Sequence, residues 1–306
     1  MRAKANAKAP AAYELLVLHV DTDLRSKVPG EISPAEELLA RYRERFPGME
    51  FRCVSLSDAL ELRSVDWSAL PSMEALGDPQ ERTRALFDRL PSVTSRADVL
   101  RLLIRHLLLD QAVKTGCEAL LMGCTTTALA ELTLAEVAKG RGFSVPWQIN
   151  DGPFPLPPGT ASSSSNSESN GTSSRTMHIN YPLRDVFRKE IHSFIDLCDP
   201  PLRDLVVSPE GDTGAVVSHK DLSIEETMTR YFESVEETYP AVVANVVRTT
   251  GRLERPDVGE GEACSVCGMA VDERGDARWK GEIGAEDRQQ EGTARLCHGC
   301  ERSIHG

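Results

Sequence analysis

Residues 92–151 constrain the fold more than any other stretch: SVTSRADVLRLLIRHLLLDQAVKTGCEALLMGCTTTALAELTLAEVAKGRGFSVPWQIND. Ser95-Arg96-Ala97-Asp98 has the form of a capping box and predicts a helix from near Arg96. Leu100, Leu103, Ile104, Leu107, Leu108 and Ala112 then recur at helical spacing, and Gly116 ends the run. The apolar stretch 119–122 is too short for a helix and suits a buried parallel strand. Gly123 turns the chain, and Cys124-Thr125-Thr126-Thr127 leads into a second helix carrying Leu129, Leu132 and Val137 on one face. A Gly140-Arg141-Gly142 turn precedes a second predicted strand at 145–149. Helix, strand, helix, strand is the order of a doubly wound α/β domain, whose ligands sit outside the carboxyl ends of the strands. Here that edge is the 123–127 turn. A Gly turn with a Thr helix cap is its simplest meaning. A nucleotide or RNA edge is the sharper one, because hydroxyls bind phosphate, although the turn holds no charged catalytic group.

The flanking chain repeats these signals. Residues 15–20 read as a strand ending in Asp21-Thr22-Asp23, an acidic pair suited to a ribose hydroxyl or metal, and more commonly a solvated turn. Ser33-Pro34-Ala35-Glu36 opens a helix with a capping Ser, Pro at the first position and a capping-box Glu. Leu38, Leu39, Tyr42 and Phe46 form its predicted buried face, and residues 49–56 read as a strand. Residues 58–90 read as short helices, the most helical being 79–90. Residues 177–180 read as a strand and 186–197 as a helix, with a long helical region at 223–247 opened by Ser223-Ile224-Glu225-Glu226 and interrupted by Pro240. Between them, Pro153, Pro155, Pro157 and Pro158 and the serines at 162–165 predict a disordered insertion, since such a composition buries too little apolar surface to offset the entropy of ordering. Asn170-Gly171-Thr172 has the form of a glycosylation site without other signs of secretion. The expected organisation is therefore an α/β domain over 1–154, the insertion at 155–176, the rest of the α/β domain with its helical region at 177–250, and a cysteine-rich segment at 251–306.

Charge narrows the partners. The net charge of −12 argues against a general polyanion binder. Residues 1–150 hold 19 Lys/Arg against 20 Asp/Glu, leaving 16 against 27 for the remainder, so an RNA-facing surface is expected in the first half or on a partner. No apolar run approaches the ~18 residues needed to span a membrane. No hydrophobic signal core follows the basic stretch MRAKANAKAP, and the expectation is a cytoplasmic protein.

The strongest chemical signal lies in the cysteines. Cys264-Ser-Val-Cys267 and Cys297-His-Gly-Cys300 can each place two thiolates on one metal ion, and together they complete the four-sulfur set of structural zinc, the alternatives being two unrelated redox motifs or unliganded thiols. Gly268 allows the tight reversal such knuckles need. His298 is a spare donor, though four Cys suffice. A closed four-sulfur site has no open position for substrate, so it should stabilise the fold rather than catalyse. Cys53, Cys117, Cys124 and Cys198 are scattered, and the charged 272–293 stretch between the knuckles adds little core.

The succession 119–130 (ALLMGCTTTALA), Gly140-Arg141-Gly142, Pro182-Leu183-Arg184-Asp185 before Lys189-Glu190-Ile191, Tyr231-Phe232-Glu233 through Tyr239-Pro240 to Val246-Val247-Arg248-Thr249, and the two terminal cysteine pairs resemble the cytoplasmic tRNA 2-thiolation protein 2 family. The resemblance covers roughly residues 13–306 outside the Ser-rich insertion. It implies an adenine-nucleotide α-hydrolase-like, PP-loop fold and a role in 2-thiolation of the tRNA wobble uridine. It further implies a heterodimer with the adenylating subunit, cytoplasmic tRNA 2-thiolation protein 1, and sulfur delivered by a thiocarboxylated ubiquitin-related modifier, the protein of the urmylation pathway.

The chain departs from catalytic PP-loop enzymes. It has no Ser-Gly-Gly-x-x-Ser loop for pyrophosphate and begins at the strand that would follow one, so the first strand and helix of the fold are expected to be missing. Cys124-Thr125-Thr126-Thr127 stands where catalytic relatives carry a His and paired Asp, and residues 92–96 where they carry a C-x-x-C. Adenylation needs phosphate held by backbone amides and neutralised by cations, and neither arrangement is legible, so no nucleotide is expected as a cofactor. The expected role is a noncatalytic subunit that positions tRNA, with Arg141, Arg184 and Arg248 as candidate phosphate contacts and zinc on Cys264, Cys267, Cys297 and Cys300. The rival is an active sulfurtransferase or ATP pyrophosphatase using Cys124 at a helix N-terminus, where a thiolate is favoured.

Overall fold

The structure, a computed structural model, describes residues 13–25, 32–73, 77–160, 175–206, 222–255, 263–269, 271 and 295–306. Strand β1 (Leu16–Asp21) leads to helix α1 (Pro34–Arg45) and strand β2 (Glu50–Ser55). The two strands pair in parallel, from Leu16 opposite Glu50 to Asp21 opposite Ser55. Helix α1 starts where the capping box places it. The Ser33 hydroxyl accepts the Glu36 N–H at 3.2 Å, and Glu36 accepts the Ser33 N–H at 3.3 Å. Two short 3₁₀ turns and α2 (Pro79–Arg89) fill the next excursion, as its lack of strand periodicity implies.

Helix α3 (Val93–Lys114) is the central element, burying Val99, Leu102, Leu103, Leu107 and Leu109. It begins three residues before the expected start. Ser92, in extended backbone, accepts the Ser95 N–H at 3.0 Å and is the true cap, while Ser95 is buried in the first turn. Strand β3 (Ala119–Leu121) and helix α4 (Thr126–Ala138) follow. Residues 145–149 are not a strand but the short, wholly buried helix α5 (Val145–Ile149). Pro146 explains the correction: its ring sets a helical φ in a first turn, and it has no N–H for a sheet ladder.

The strand instead follows that helix as β4 (Gly152–Pro155), antiparallel to β5 (Thr176–Asn180), which in turn lies parallel to β3. Among the described residues the sheet therefore appears as two pieces, β1-β2 and β3-β5-β4. The expected α/β class with parallel pairing holds. Strand β3 is less buried than expected, with Leu121 52% exposed. The insertion predicted at 155–176 is reduced at both ends: Pro155 belongs to β4, Thr176 to β5, and the Leu156 N–H donates to the Arg175 carbonyl at 2.8 Å. Residues 161–174, including Asn170, and the stretch 272–294 lie outside the described residues.

Helices α6 (Arg188–Leu197), α7 (Ile224–Thr238) and α8 (Pro240–Thr250) complete the second half. Ser223 caps α7 through the predicted box, and Pro240 starts α8 rather than kinking one long helix. Phe232 and Val243, fully buried, bring α7 and α8 against α4. The last helix, α9 (His298–His305), packs on α3, and Cys264, Cys267, Cys297, Cys300 and Ile304 share one hydrophobic core with α3 and α4. No helix among the described residues is long and apolar enough to cross a membrane.

Candidate metal centre and the turn it closes on

The two knuckles meet as their spacing predicts. Cys264 and Cys267 flank a tight turn closed by the Gly268 N–H donating to the Cys264 carbonyl at 2.9 Å, with Gly268 at φ +70°. Cys297 occupies the N-cap position of α9 without a side-chain cap bond, and Cys300 lies in its first turn. The Ser265 N–H donates to the Arg295 carbonyl at 2.8 Å, and the Cys297 N–H donates to Cys264 Sγ at 3.3 Å. All four cysteines are buried, and their sulfurs lie within 4.8 Å of one another. Cys267 and Cys297 Sγ are 3.8 Å apart. A tetrahedral ion with metal–sulfur bonds of ~2.3 Å requires sulfur separations of about 3.8 Å, so the donor set fits a single ion. Hydrogen bonds from the Cys267, Cys297 and Cys300 thiols hold Cys264 well below the usual thiol range. Cys297 and Cys300 are in turn held well above it, first by their hydrogen bonds with Cys264. A bound cation would take the place of the protons these sulfurs share.

Helix α3 grips the first knuckle through its backbone. His106 Nε2 lies 2.9 Å from the Val266 carbonyl and Nδ1 lies 3.0 Å from the Ser64 hydroxyl. The carbonyl can only accept, so the ring is protonated on Nε2 and Nδ1 accepts from Ser64. Burial, and then Arg105, push His106 down to about 4. Arg105 reaches the Cys267 carbonyl at 3.4 Å and Gln148 Oε1 at 2.8 Å.

Beside this lies a buried charge network. Arg141 Nε donates to Glu136 Oε2 at 3.1 Å, Nη2 donates to Asp98, and Nη1 points at Cys300 Sγ at 3.7 Å. Lys139 pairs with Asp98 at 2.7 Å and Glu136 at 2.9 Å, and also reaches Glu225. Arg101 adds a 2.6 Å bridge to Glu136, and Ser303 of α9 donates to Asp98 at 2.7 Å. Burial pushes the Asp98 carboxyl up, but Arg141, Lys139 and Arg101 outweigh it and hold it at about 2. Glu136 is held well below the usual range against its burial by Arg101, Arg141 and Lys139.

The candidate phosphate contacts separate. Arg141 is 0% exposed with its guanidinium committed inside the protein, which corrects its reading as a tRNA contact. Gly140 beside it serves packing: a Cβ there would come within 2.7 Å of His298. Arg184 lies 3.5 Å from Asp151, on a partly exposed side chain. Exposed Arg248 donates to Asn245 at 3.3 Å. Around the 123–127 turn the hydroxyls are engaged internally. Thr125 accepts the Ala128 N–H at 3.2 Å, Thr126 donates to the Arg184 carbonyl at 2.7 Å, and Thr127 donates to Glu236. Burial, and then Glu131, push the Cys124 thiol up, opposite to the direction a helix N-terminus alone would give.

Sequence reasoning missed Asp98, His106, Glu136 and Lys139. A signal existed: Asp98, Leu102 and His106 are spaced by four along α3, so two ionisable groups share a stripe with a core leucine.

Known proteins match this chain by family model, by sequence and by structure. The family model for cytoplasmic tRNA 2-thiolation protein 2 matches residues 223–295. A protein of that name from Phaeosphaeria nodorum is 41% identical over 286 residues, covering 90% of this chain and 69% of the relative. One from Pyrenophora tritici-repentis is 37% identical over 285 residues, covering 90% and 70%. Among solved structures, the U34-tRNA thiolase NcsA from Methanococcus maripaludis with its 4Fe–4S cluster matches with a TM-score of 0.48 at 12% identity, covering 90% of this chain and 72% of that one.

Proposed function

Because the chain belongs to the cytoplasmic tRNA 2-thiolation protein 2 family, we propose that it serves wobble-uridine 2-thiolation in the cytoplasm as a noncatalytic, tRNA-positioning subunit. Its partner in this reading is the adenylating subunit, cytoplasmic tRNA 2-thiolation protein 1, and the sulfur comes from a thiocarboxylated ubiquitin-related modifier. The observation that carries the noncatalytic role is the strand-end turn. Its three threonine hydroxyls are spent on the protein's own backbone and on Glu236, and its cysteine is held as a thiol. Such a turn caps α4 and anchors the 184–188 loop, whereas phosphoryl chemistry needs donors free for the substrate. The rival, sulfur transfer through Cys124, is separated by one experiment. Cys124→Ser is assayed with the reconstituted heterodimer, modifier and tRNA. Near-normal thiolation supports the positioning role, and loss of product with tRNA binding intact overturns it.

Within this reading Arg184 and Arg248 remain the candidate phosphate contacts, and Arg141 does not. Replacing either by Ala should weaken tRNA binding across sequences and flatten its salt dependence by about one charge. The four-cysteine site is read as structural zinc. The 3.8 Å sulfur separation supports one ion shared by four thiolates, whereas an iron–sulfur cluster spreads its cysteines over several irons. Elemental analysis of protein purified under reducing conditions should give one zinc per chain, and a metal-free protein overturns the assignment.

A further inference from the structure

We infer that Arg141 is a positioning residue for the four-cysteine metal centre, its guanidinium holding the Cys300 sulfur while the 140–142 turn seats the second knuckle. The inference rests on the reading of Cys264, Cys267, Cys297 and Cys300 as metal ligands. Two independent contacts bring it out. Arg141 Nη1 lies 3.7 Å from Cys300 Sγ, within hydrogen-bonding reach of a sulfur acceptor. Gly299, between the two cysteines of the second knuckle, lies so close that a Cβ there would fall 2.4 Å from Arg141 Cγ and 3.0 Å from Nη1. Its neighbour His298 lies over Gly140 in the same way. The middle residues of the C-x-x-C thus meet Gly140 and Arg141 of the turn residue against residue.

Charge gives the contact its purpose. A divalent ion with four thiolates carries a net charge of −2, and a buried charge needs a counter-charge and hydrogen bonds. Arg141 supplies both to Cys300, and Arg105 brings a second cation to the Cys267 carbonyl. A neighbour that donates to a metal ligand orients it, and losing one typically costs about 10–100-fold in metal affinity. The competing account makes Arg141 only a counter-ion for Asp98 and Glu136. Those carboxylates also have Lys139 and Arg101, whereas among the described residues Cys300 Sγ receives a side-chain cation only from Arg141. Lysine cannot reproduce the three-way fork, because its single ammonium cannot address Asp98, Glu136 and Cys300 in one plane.

The test uses the full chain loaded with zinc or cobalt. Zinc release to a chelator is timed for wild type, Arg141→Lys and Arg101→Gln, and the sulfur-to-cobalt charge-transfer band is recorded for each. Arg141→Lys should release zinc at least about tenfold faster and shift the band. Arg101→Gln, which loses a cation from Glu136 without touching Cys300, should leave both unchanged. If Arg141→Lys does not fold, Gly299→Ala disturbs the same contact from the knuckle side and should give the same two changes. Unaltered release and band in a metal-loaded Arg141→Lys protein, or in Gly299→Ala where it stands in, overturn the inference and leave Arg141 a core cation. Equal acceleration in Arg101→Gln overturns it too. A wild-type chain that takes up no metal overturns the metal reading itself.

Discussion

Gly299 and Arg141 occupy one space: no side chain fits on the glycine while the arginine keeps its buried position, since a Cβ would stand 2.4 Å from Arg141 Cγ. Gly299→Ala must therefore shift either α9 or a side chain held by two carboxylates. Overpacking of this kind costs about 1–3 kcal/mol. Denaturant unfolding of the metal-loaded chain should show the midpoint falling with little change in slope.

Removing one ligand tests the site directly. Cys297→Ser should abolish stoichiometric zinc binding and loosen α9, because the Cys297 sulfur at the start of that helix is one of the bonds through which the ion would tie α9 to the first knuckle. Metal analysis combined with limited proteolysis near residue 297 reads both effects. Full zinc content in this variant would mean the ion sits elsewhere.

His106 sets a pH dependence. Its ordinary value is near 6.5 and burial lowers it to about 4 in the folded chain. Between these values the unfolded chain binds the proton and the folded one does not, so stability is full above about 6.5 and declines as pH falls toward 4. The slope approaches 1.4 kcal/mol per pH unit for one proton. His106→Gln keeps a donor for the Val266 carbonyl without a titrating ring and should flatten that slope between pH 6.5 and 5, measured by urea unfolding at fixed ionic strength.

Glu236 ties three elements together. It accepts the Thr127 hydroxyl from α4 and the Lys189 N–H from α6 at 2.9 Å, from a buried position on α7. Glu236→Ala strands these donors and should destabilise by about 2–3 kcal/mol. Glu236→Gln keeps an acceptor oxygen for only one of the two donors and should cost less than Glu236→Ala in the same unfolding assay.

Deletion of residues 161–174 should leave stability and tRNA thiolation unchanged, because their composition offers neither core nor ligand chemistry. Extending the deletion back to 156 should be costly. Pro157 lies against Gly268 of the first knuckle, where a Cβ on that glycine would come within 2.5 Å, and Thr160 is buried with its hydroxyl on the Pro157 carbonyl at 2.7 Å. Melting temperatures of the two deletions separate these cases.

What could be read from the sequence was local. Ser33 and Ser223 announce their helices because a cap is a contact over three residues, and Pro240 breaks the α7–α8 path because a missing N–H acts on its own turn. The four-cysteine cluster was legible because each C-x-x-C is itself local. Residues 145–149 were misassigned because a short, mostly apolar run fits either state and Pro146 had to arbitrate, and β4 was missed because its two prolines read as the start of the insertion. Arg141 was misread for a different reason. Between two glycines it looks like an exposed anion contact, and its partners Asp98 and Cys300 lie 43 and 159 positions away, where no periodicity reports them.

That separation also bears on how the chain is made. Synthesis proceeds from the N-terminus, so α3, the 140–142 turn and α4 exist long before α9 leaves the ribosome. Until then Arg141 and Asp98 lack Cys300 and Ser303, the latter 205 residues downstream of Asp98. The middle of the protein therefore waits on contacts made much later in synthesis, with part of its apolar surface uncovered meanwhile. A nascent chain stalled before residue 297 would present unfinished core to chaperones and proteases. Any defect that halts translation there should be read by the cell as misfolding of the α/β unit.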